Sequence, residues 1–264
     1  MNDNKQPKIT VITVCFNEPK EKIALTFKSV SSQTYKNTEW IVIDGGSKQE
    51  TIEAINSYLV GIDKFICEPD NGIYDAMNKG LAIASGEFVV FMNIGDRFYN
   101  KETVENVVDC ILANPAYDCF FGDVIVVDDN EKEWAAPQIK KVSRRILRYS
   151  MICHQSIFSR KTLYDTIGSF DVEYKIIADR DWVLKSIKTG AKWLYVNMFI
   201  CYYDRNGVSA DITKRHVEAD RFVTNNYSSI DNLICFPFIK YRNIRQRFKS
   251  ILRHTYKGFP VINA

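Results

Sequence analysis

The chain has 264 residues, 46% hydrophobic and 13% aromatic, enough to bury a substantial core, which excludes a disordered or fibrous protein. A formal net charge of +3 is too small to imply nucleic-acid binding, although basic residues crowd the C-terminal end. The seven cysteines are odd in number, lack CxxC pairing and mostly lie in apolar runs, so they read as reduced core residues of a cytosolic protein, not as disulfides or metal ligands.

In chain order, the N-terminal MNDNKQPK is polar and lacks the apolar segment of a signal peptide. No later stretch approaches the roughly 20 apolar residues that span a bilayer, so the expected location is cytoplasmic. Ile9–Phe16, rich in β-branched residues and broken by Asn17-Glu18-Pro19, predicts a first strand. Ile23, Phe27 and Val30 at helical spacing predict a helix over Glu21–Gln33. A second strand, Trp40–Ile43, ends at Asp44-Gly45-Gly46-Ser47. A helix over Gln49–Tyr58 and a short strand at Phe65–Cys67 follow. Asp70-Asn71-Gly72 makes a turn, Ile73–Ala84 a helix, and Ser85-Gly86 its stop. The apolar run Glu87–Met92 then halts at Asn93-Ile94-Gly95-Asp96, as a strand buried on both faces would. This alternation predicts right-handed crossovers and an α/β fold, a mostly parallel central sheet with helices on both faces.

Beyond Asn100 the pattern is mixed. Helices are expected over Thr103–Ala113, Arg180–Lys188 and Ile212–Asn225, and strands over Asp118–Val127 and Trp193–Tyr203. Trp134–Phe170 reads as less regular. Ile239–His254 reads as a basic amphipathic helix. The organisation expected is one catalytic domain over residues 1–210, with a nucleotide-binding half at 7–100 and an acceptor half at 101–210, followed by a helical extension over 211–264.

In open α/β sheets, ligands sit at the carboxyl ends of the strands. Those ends carry Asn17, Glu18, Asp44, Asn93 and Asp96. A carboxylate there holds a divalent metal, and a metal holds a diphosphate, which is what a nucleotide-sugar transferase needs. Each residue also has a plainer reading. Asp44 ahead of two glycines is a common turn residue. Asp75 suits a helix N-terminus, and Asn78, a mediocre helix former, suits a packed hydrogen bond to a neighbouring loop. His154 lies among Met151, Ile152, Ile157 and Phe158, the setting of a core histidine. Asp179 and Asp181 open a helix, where carboxylates are favoured in any case, yet a carboxylate there beside a cleft also serves as a general base.

The series ITVITVCFNE, WIVIDGGSKQET, DNGIYDAMNKG and ASGEFVVFMNIGDRFY resembles the family 2 glycosyltransferases with the GT-A fold, among them the bacterial enzymes that build exopolysaccharide, capsule or O-antigen repeats. CHQSIFSR and GSFDVEYKIIADRDW continue the resemblance with looser motifs. It implies that Phe16, Asn17 and Glu18 line the nucleotide pocket, that Asp44 binds base or ribose, and that Asp70, Asn78 and Asn93 flank the nucleotide sugar. The family's metal motif is usually Asp-x-Asp. Here Asn93-Ile94-Gly95-Asp96 keeps only the Asp96 carboxylate, so Mg²⁺ or Mn²⁺ would rest on Asp96, diphosphate oxygens and water. Gln49, where relatives usually carry Asp, is a second departure. Asp179 falls at the family's base position, and His154, Gln155 and Asp181 on the acceptor or diphosphate side. The implied reaction is an inverting transfer from a nucleotide-sugar donor to a glycan acceptor that is lipid-linked in such pathways, with no nucleic acid involved.

Three other readings compete with this one. A nicotinamide-dependent dehydrogenase needs GxGxxG after the first strand, where this chain has Cys15-Phe16-Asn17-Glu18-Pro19. A nucleotidyltransferase would show a Gly- and Arg-rich loop with a lysine there. A catalytically degenerate interaction protein agrees with Asn93 and Gly95 but not with Asp44, Asp96 and Asp179 together. Residues 240–257 hold seven Lys or Arg and no acid, with Ile244, Phe248, Ile251 and Leu252 as an apolar stripe. Peripheral attachment to the inner membrane face is set there against simple packing of the stripe.

Overall fold

A computed structural model describes residues 6–128, 130–205 and 212–228, which fall into two units divided after Ala219. The expected helix at 239–254, the membrane segment 240–257 and Cys235 lie outside the described residues.

In the first unit, β1 (Ile9–Cys15), β2 (Thr38–Asp44), β3 (Lys64–Cys67) and β4 (Phe88–Phe91) lie parallel in the order β3-β2-β1-β4. Every residue of β1 is buried, because β-branched side chains cover both faces of an interior strand. On one face, Ile9, Val11, Cys15, Trp40 and Val42 meet Ile23, Phe27 and Val30 of α1 (Lys20–Ser31) and Ala54 and Ile55 of α2 (Gln49–Asn56). Phe27 meets Trp40 edge-on at 4.8 Å, and a buried side chain of this size contributes roughly 1.5–3 kcal/mol. The opposite face carries Ile12, against which α3 (Ile73–Ile83) packs.

β4 pairs antiparallel with β8 (Ile157–Arg160). The sheet continues through β6 (Cys119–Val127) and β9 (Trp193–Asp204) to the two-residue β5 (Arg97–Phe98), and β7 (Glu133–Ala136) pairs β6. α4 (Thr103–Ala113) adds Val104, Val107, Val108 and Ile111 to the same core. The segment expected to be irregular holds β7, α5 (Arg144–Leu147), β8 and α6 (Lys161–Ile167). Two helices follow, α7 (Ala178–Lys188) and α8 (Ile212–Asn226). Because α7 starts at Ala178, not at Arg180 as expected, Asp179 belongs to its first turn.

The parallel half fixes the two edges. At the starting edge, the buried Glu39 carboxylate of β2 accepts bonds from Thr10 Oγ1 (2.7 Å), Lys64 Nζ (2.8 Å), Ser85 N (2.7 Å) and Ser85 Oγ (2.8 Å). It thereby ties three strands to the turn ahead of β4. The ends of β1, β2, β3 and β4, with their polar loops, fall together on the other edge. The six described cysteines are free, and no helix among the described residues is long and apolar enough to cross a membrane.

Candidate active site

The loops after β1 and β2 are knitted to each other. Asn17 adopts a left-handed backbone (φ 52°), which Asn tolerates, and its side-chain oxygen accepts from Lys48 N at 2.9 Å. Its own N–H donates to Ser47 Oγ at 2.7 Å. Asp44 is fully buried and accepts from Gly46 N, Ser47 N and Ser47 Oγ at 2.6–3.0 Å, and from Cys67 Sγ at 3.2 Å. Its carboxylate builds the turn. Beside this knot the Phe16 ring is 58% exposed. Asp70 Oδ1 accepts from Gly72 N, and Asp70 Oδ2 lies over Gly45, where an added Cβ would meet it at 2.3 Å. An open aromatic face and a carboxylate thus stand together at the end of β2.

The loop after β4 is held by Thr26 of α1, which accepts from Gly95 N (2.9 Å) and donates to Asp96 O (2.7 Å). Gly95 has φ +96°, and a Cβ there would come 2.8 Å from Asp204 Oδ2, so only glycine suits the position. The buried Asp96 accepts from Asp204 N and from Gln155 Nε2, both at 2.8 Å. Burial pushes its carboxyl up to about 7, against the pull of these two donors and of His154. Asp204 Oδ2 in turn takes the Lys22 ammonium at 2.6 Å. Burial works against the Lys22 charge, but Asp204, with Glu18 and Asp96 behind it, holds its titration above the ordinary lysine range. Burial also raises Glu18, with Lys22 opposing and Asp204 assisting.

Asp96 and Asp204 suit a divalent cation in one respect: the Asp96 carboxylate is buried short of positive charge, and each of its oxygens keeps an unused lone pair. Among the described residues no group of three or more His, Cys, Asp or Glu side chains is placed to hold a metal. The donor set therefore fits a cation bound by one or two carboxylates and completed by substrate phosphates and water, a habit of Mg²⁺.

Next to this loop, His154 Nδ1 lies 3.2 Å from Asp179 Oδ2, and His154 Nε2 lies 3.1 Å from Asn93 Nδ2. The other oxygen of Asp179 accepts from Arg180 N at 2.7 Å and lies 3.2 Å from Tyr74 OH, whose single proton also faces Ile176 O at 2.8 Å. Burial and the Asp179 charge push the Tyr74 phenol far above its ordinary range, so it stays a donor. Asn93 is buried, and its Oδ1 has no hydrogen-bond partner. Gln155, one residue beyond His154, joins the pair to Asp96. Asp181 stands apart, ion-paired with Lys185 one turn along α7 at 2.7 Å.

Asn78 makes a packed hydrogen-bond pair with a neighbouring segment. Its amide donates to Phe170 O (2.8 Å) and accepts from Phe170 N (2.9 Å), clamping the chain that leads into α7. Sequence reading missed Thr26, Lys22, Tyr74, Asp204 and Glu218. The Glu218 carboxylate of α8 accepts from the N–H groups of Lys175, Ile176 and Ile177 at 2.7–3.2 Å, just ahead of Asp179. Of these, only Asp204 carried a local signal: a polar residue ending a long apolar strand, the rule that singled out Asp44 and Asp96.

The model of the family described as Glycosyl transferase family 2 matches residues 10–171. A PGL/p-HBAD biosynthesis glycosyltransferase of Mycobacterium tuberculosis strain H37Rv is 30% identical over 183 residues, covering 68% of this chain and 70% of that protein. An Escherichia coli enzyme named UDP-Glc:alpha-D-GlcNAc-diphosphoundecaprenol beta-1,3-glucosyltransferase is 24% identical over 256 residues, covering 89% and 98%. Among solved structures, S. aureus TarS 1-349 in complex with UDP-GlcNAc superposes with a TM-score of 0.61 at 21% identity, over 76% of this chain and 59% of that one. The chain thus spans about 60% of the length of that 1-349 chain. The mannosyltransferase PcManGT from Pyrobaculum calidifontis, in complex with GDP-Man and Mn²⁺, gives 0.63 at 18% identity, over 86% and 67%. The structural likenesses establish the shared fold.

Proposed function

The chain belongs to glycosyl transferase family 2, and from that premise we propose that it moves a sugar from a nucleoside-diphosphate donor to an acceptor hydroxyl, with inversion, in building a cell-surface glycan. The observation that carries this reading is the meeting of the Asp96 loop and the Asp179–His154 pair at one sheet edge, joined through Asn93 and Gln155. Phe16 offers a stacking face for the base and Asp70 an acceptor for ribose hydroxyls, while Asn17 and Asp44 keep the two loops in place and Glu18 lines the same cleft. Asp96 and Asp204 would hold Mg²⁺ or Mn²⁺ together with diphosphate oxygens. When bound, that cation offsets the charge of the leaving nucleoside diphosphate. The acceptor hydroxyl gives its proton to the Asp179–His154 pair while its oxygen attacks the anomeric carbon. A single displacement inverts the centre and needs no covalent glycosyl-enzyme.

The name of the E. coli relative, with its diphosphoundecaprenol acceptor, supports a lipid-linked acceptor. The same reading assigns transfer to residues 1–210, and to residues 240–257 a salt-sensitive contact with the cytoplasmic membrane face. The test is incubation with a panel of UDP-, GDP- and dTDP-sugars and a polyprenyl-diphosphate-linked sugar. A new glycoside of opposite anomeric configuration is expected with one donor, and absence of product with every donor overturns the proposal.

A further inference from the structure

Resting on the transfer reading above, we infer that the atom receiving the acceptor's proton is His154 Nε2, with Asp179 behind it as a positioning residue. Asp179 is 3% exposed; Arg180 N and the His154 ring donate to its two oxygens, and Tyr74 OH, which also faces Ile176 O at 2.8 Å, lies 3.2 Å from one of them. The cavity against the pair is about 10 Å³, walled by Phe91, Tyr164, Phe170 and Trp182, with room for no more than about one water. A sugar hydroxyl has no approach to the carboxylate from that side. The His154 side chain is 15% exposed and covers Asp179.

With the Asn93 amide N–H turned toward the ring, the bonding pattern assigns its tautomer. Asp179 Oδ2 can only accept, so Nδ1 carries the hydrogen, and Nε2 is left as an acceptor facing the Asn93 amide N–H. That is the state a general base requires. Asn93 supplies the independent sign of a ligand, because its buried Oδ1 faces no donor of the protein. An acceptor hydroxyl that takes the place of the Asn93 N–H donates its one proton to Nε2, and a second hydroxyl of the same sugar has Asn93 Oδ1 to donate to. In the reaction the acceptor O–H bond breaks, its oxygen bonds to the anomeric carbon, and the nucleoside diphosphate leaves with the electron pair of the old bond. The proton ends on Nε2, giving an imidazolium held by the Asp179 carboxylate, and passes to solvent after product leaves.

The test joins a spectroscopic and a kinetic measurement on the full-length protein. The chain has three histidines, so ¹⁵N spectra of histidine-labelled wild type and His154→Gln assign the His154 ring. A neutral ring protonated at Nδ1 is expected, with that preference lost in Asp179→Asn. His154→Gln is expected to lower kcat by about 10²–10⁴-fold with the donor KM changed less than about threefold. The double variant His154→Gln/Asp179→Asn should be no slower than the worse single variant, as for groups acting as one unit. An Nε2–H tautomer, or less than about a tenfold kcat loss in His154→Gln beside a large loss in Asp179→Asn, overturns the inference and leaves Asp179 as the direct base. Absence of product in the wild type overturns the transfer reading and this inference with it, so the two failures are distinct.

Discussion

Glu39 gives the sharpest stability prediction. Burial by itself would raise its carboxyl, but the Lys64 ammonium, followed by Ser85 N–H and the Thr10 and Ser85 hydroxyls, holds it down to about 2 against an ordinary 4.5. At 1.36 kcal/mol per unit, that difference corresponds to about 3 kcal/mol. The sign follows from linkage. The folded state holds fewer protons than the unfolded chain between about pH 2 and 4.5, so the contribution is complete above that window and disappears as pH falls through it. Glu39→Gln leaves one acceptor atom where there were two and turns an N–H toward Lys64 or Ser85. It should cost about 3 kcal/mol at pH 7 and much less near pH 2.5. Urea unfolding of both proteins at pH 7, 4 and 3 reads the difference directly. A constant gap between variant and wild type across that range would refute the argument, because an ordinary packing loss has no such pH dependence.

Asn78→Ala removes two bonds to the Phe170 backbone and should destabilise by about 1–3 kcal/mol while raising donor KM little. A large KM rise in a variant of unchanged stability would return Asn78 to nucleotide contact. Metal dependence is expected: excess EDTA should abolish turnover, and Mg²⁺ or Mn²⁺ should restore it. Asp96→Ala should lose most activity with an unchanged circular-dichroism spectrum, and full turnover in EDTA would defeat this expectation.

The parallel half of the fold was legible because its signals are local. β-Branched runs stop at Asn17, Asp44 and Asn93, and apolar spacing marks Ile23, Phe27 and Val30 as one helix face. β5 was not legible. Arg97-Phe98 is a strand only because Tyr202 and Cys201 of β9 lie opposite. β8 is four residues long, and its place between β4 and β6 is a tertiary choice. The site divides in the same way. Asp96, Asp179 and His154 could be named from strand ends and a helix start, but their pairing depends on how β4, β8 and α7 meet. Asp204 and Glu218 act across long sequence separations on groups they do not resemble. At Asp44 and Asn78 the plain and functional readings share one sequence signature; the hydrogen bonds show the plain role, and donor binding by variants tests the other.

The central claim is sugar transfer at the edge where Asp96, His154 and Asp179 meet. Its most direct measurement is product formation from the matching nucleotide sugar by wild type and by Asp179→Asn under saturating donor. The account predicts glycoside of inverted configuration from the wild type, and a kcat lower by about 10²–10⁴-fold in the variant at unchanged donor affinity. Undiminished turnover by Asp179→Asn, or product of retained configuration, would contradict it.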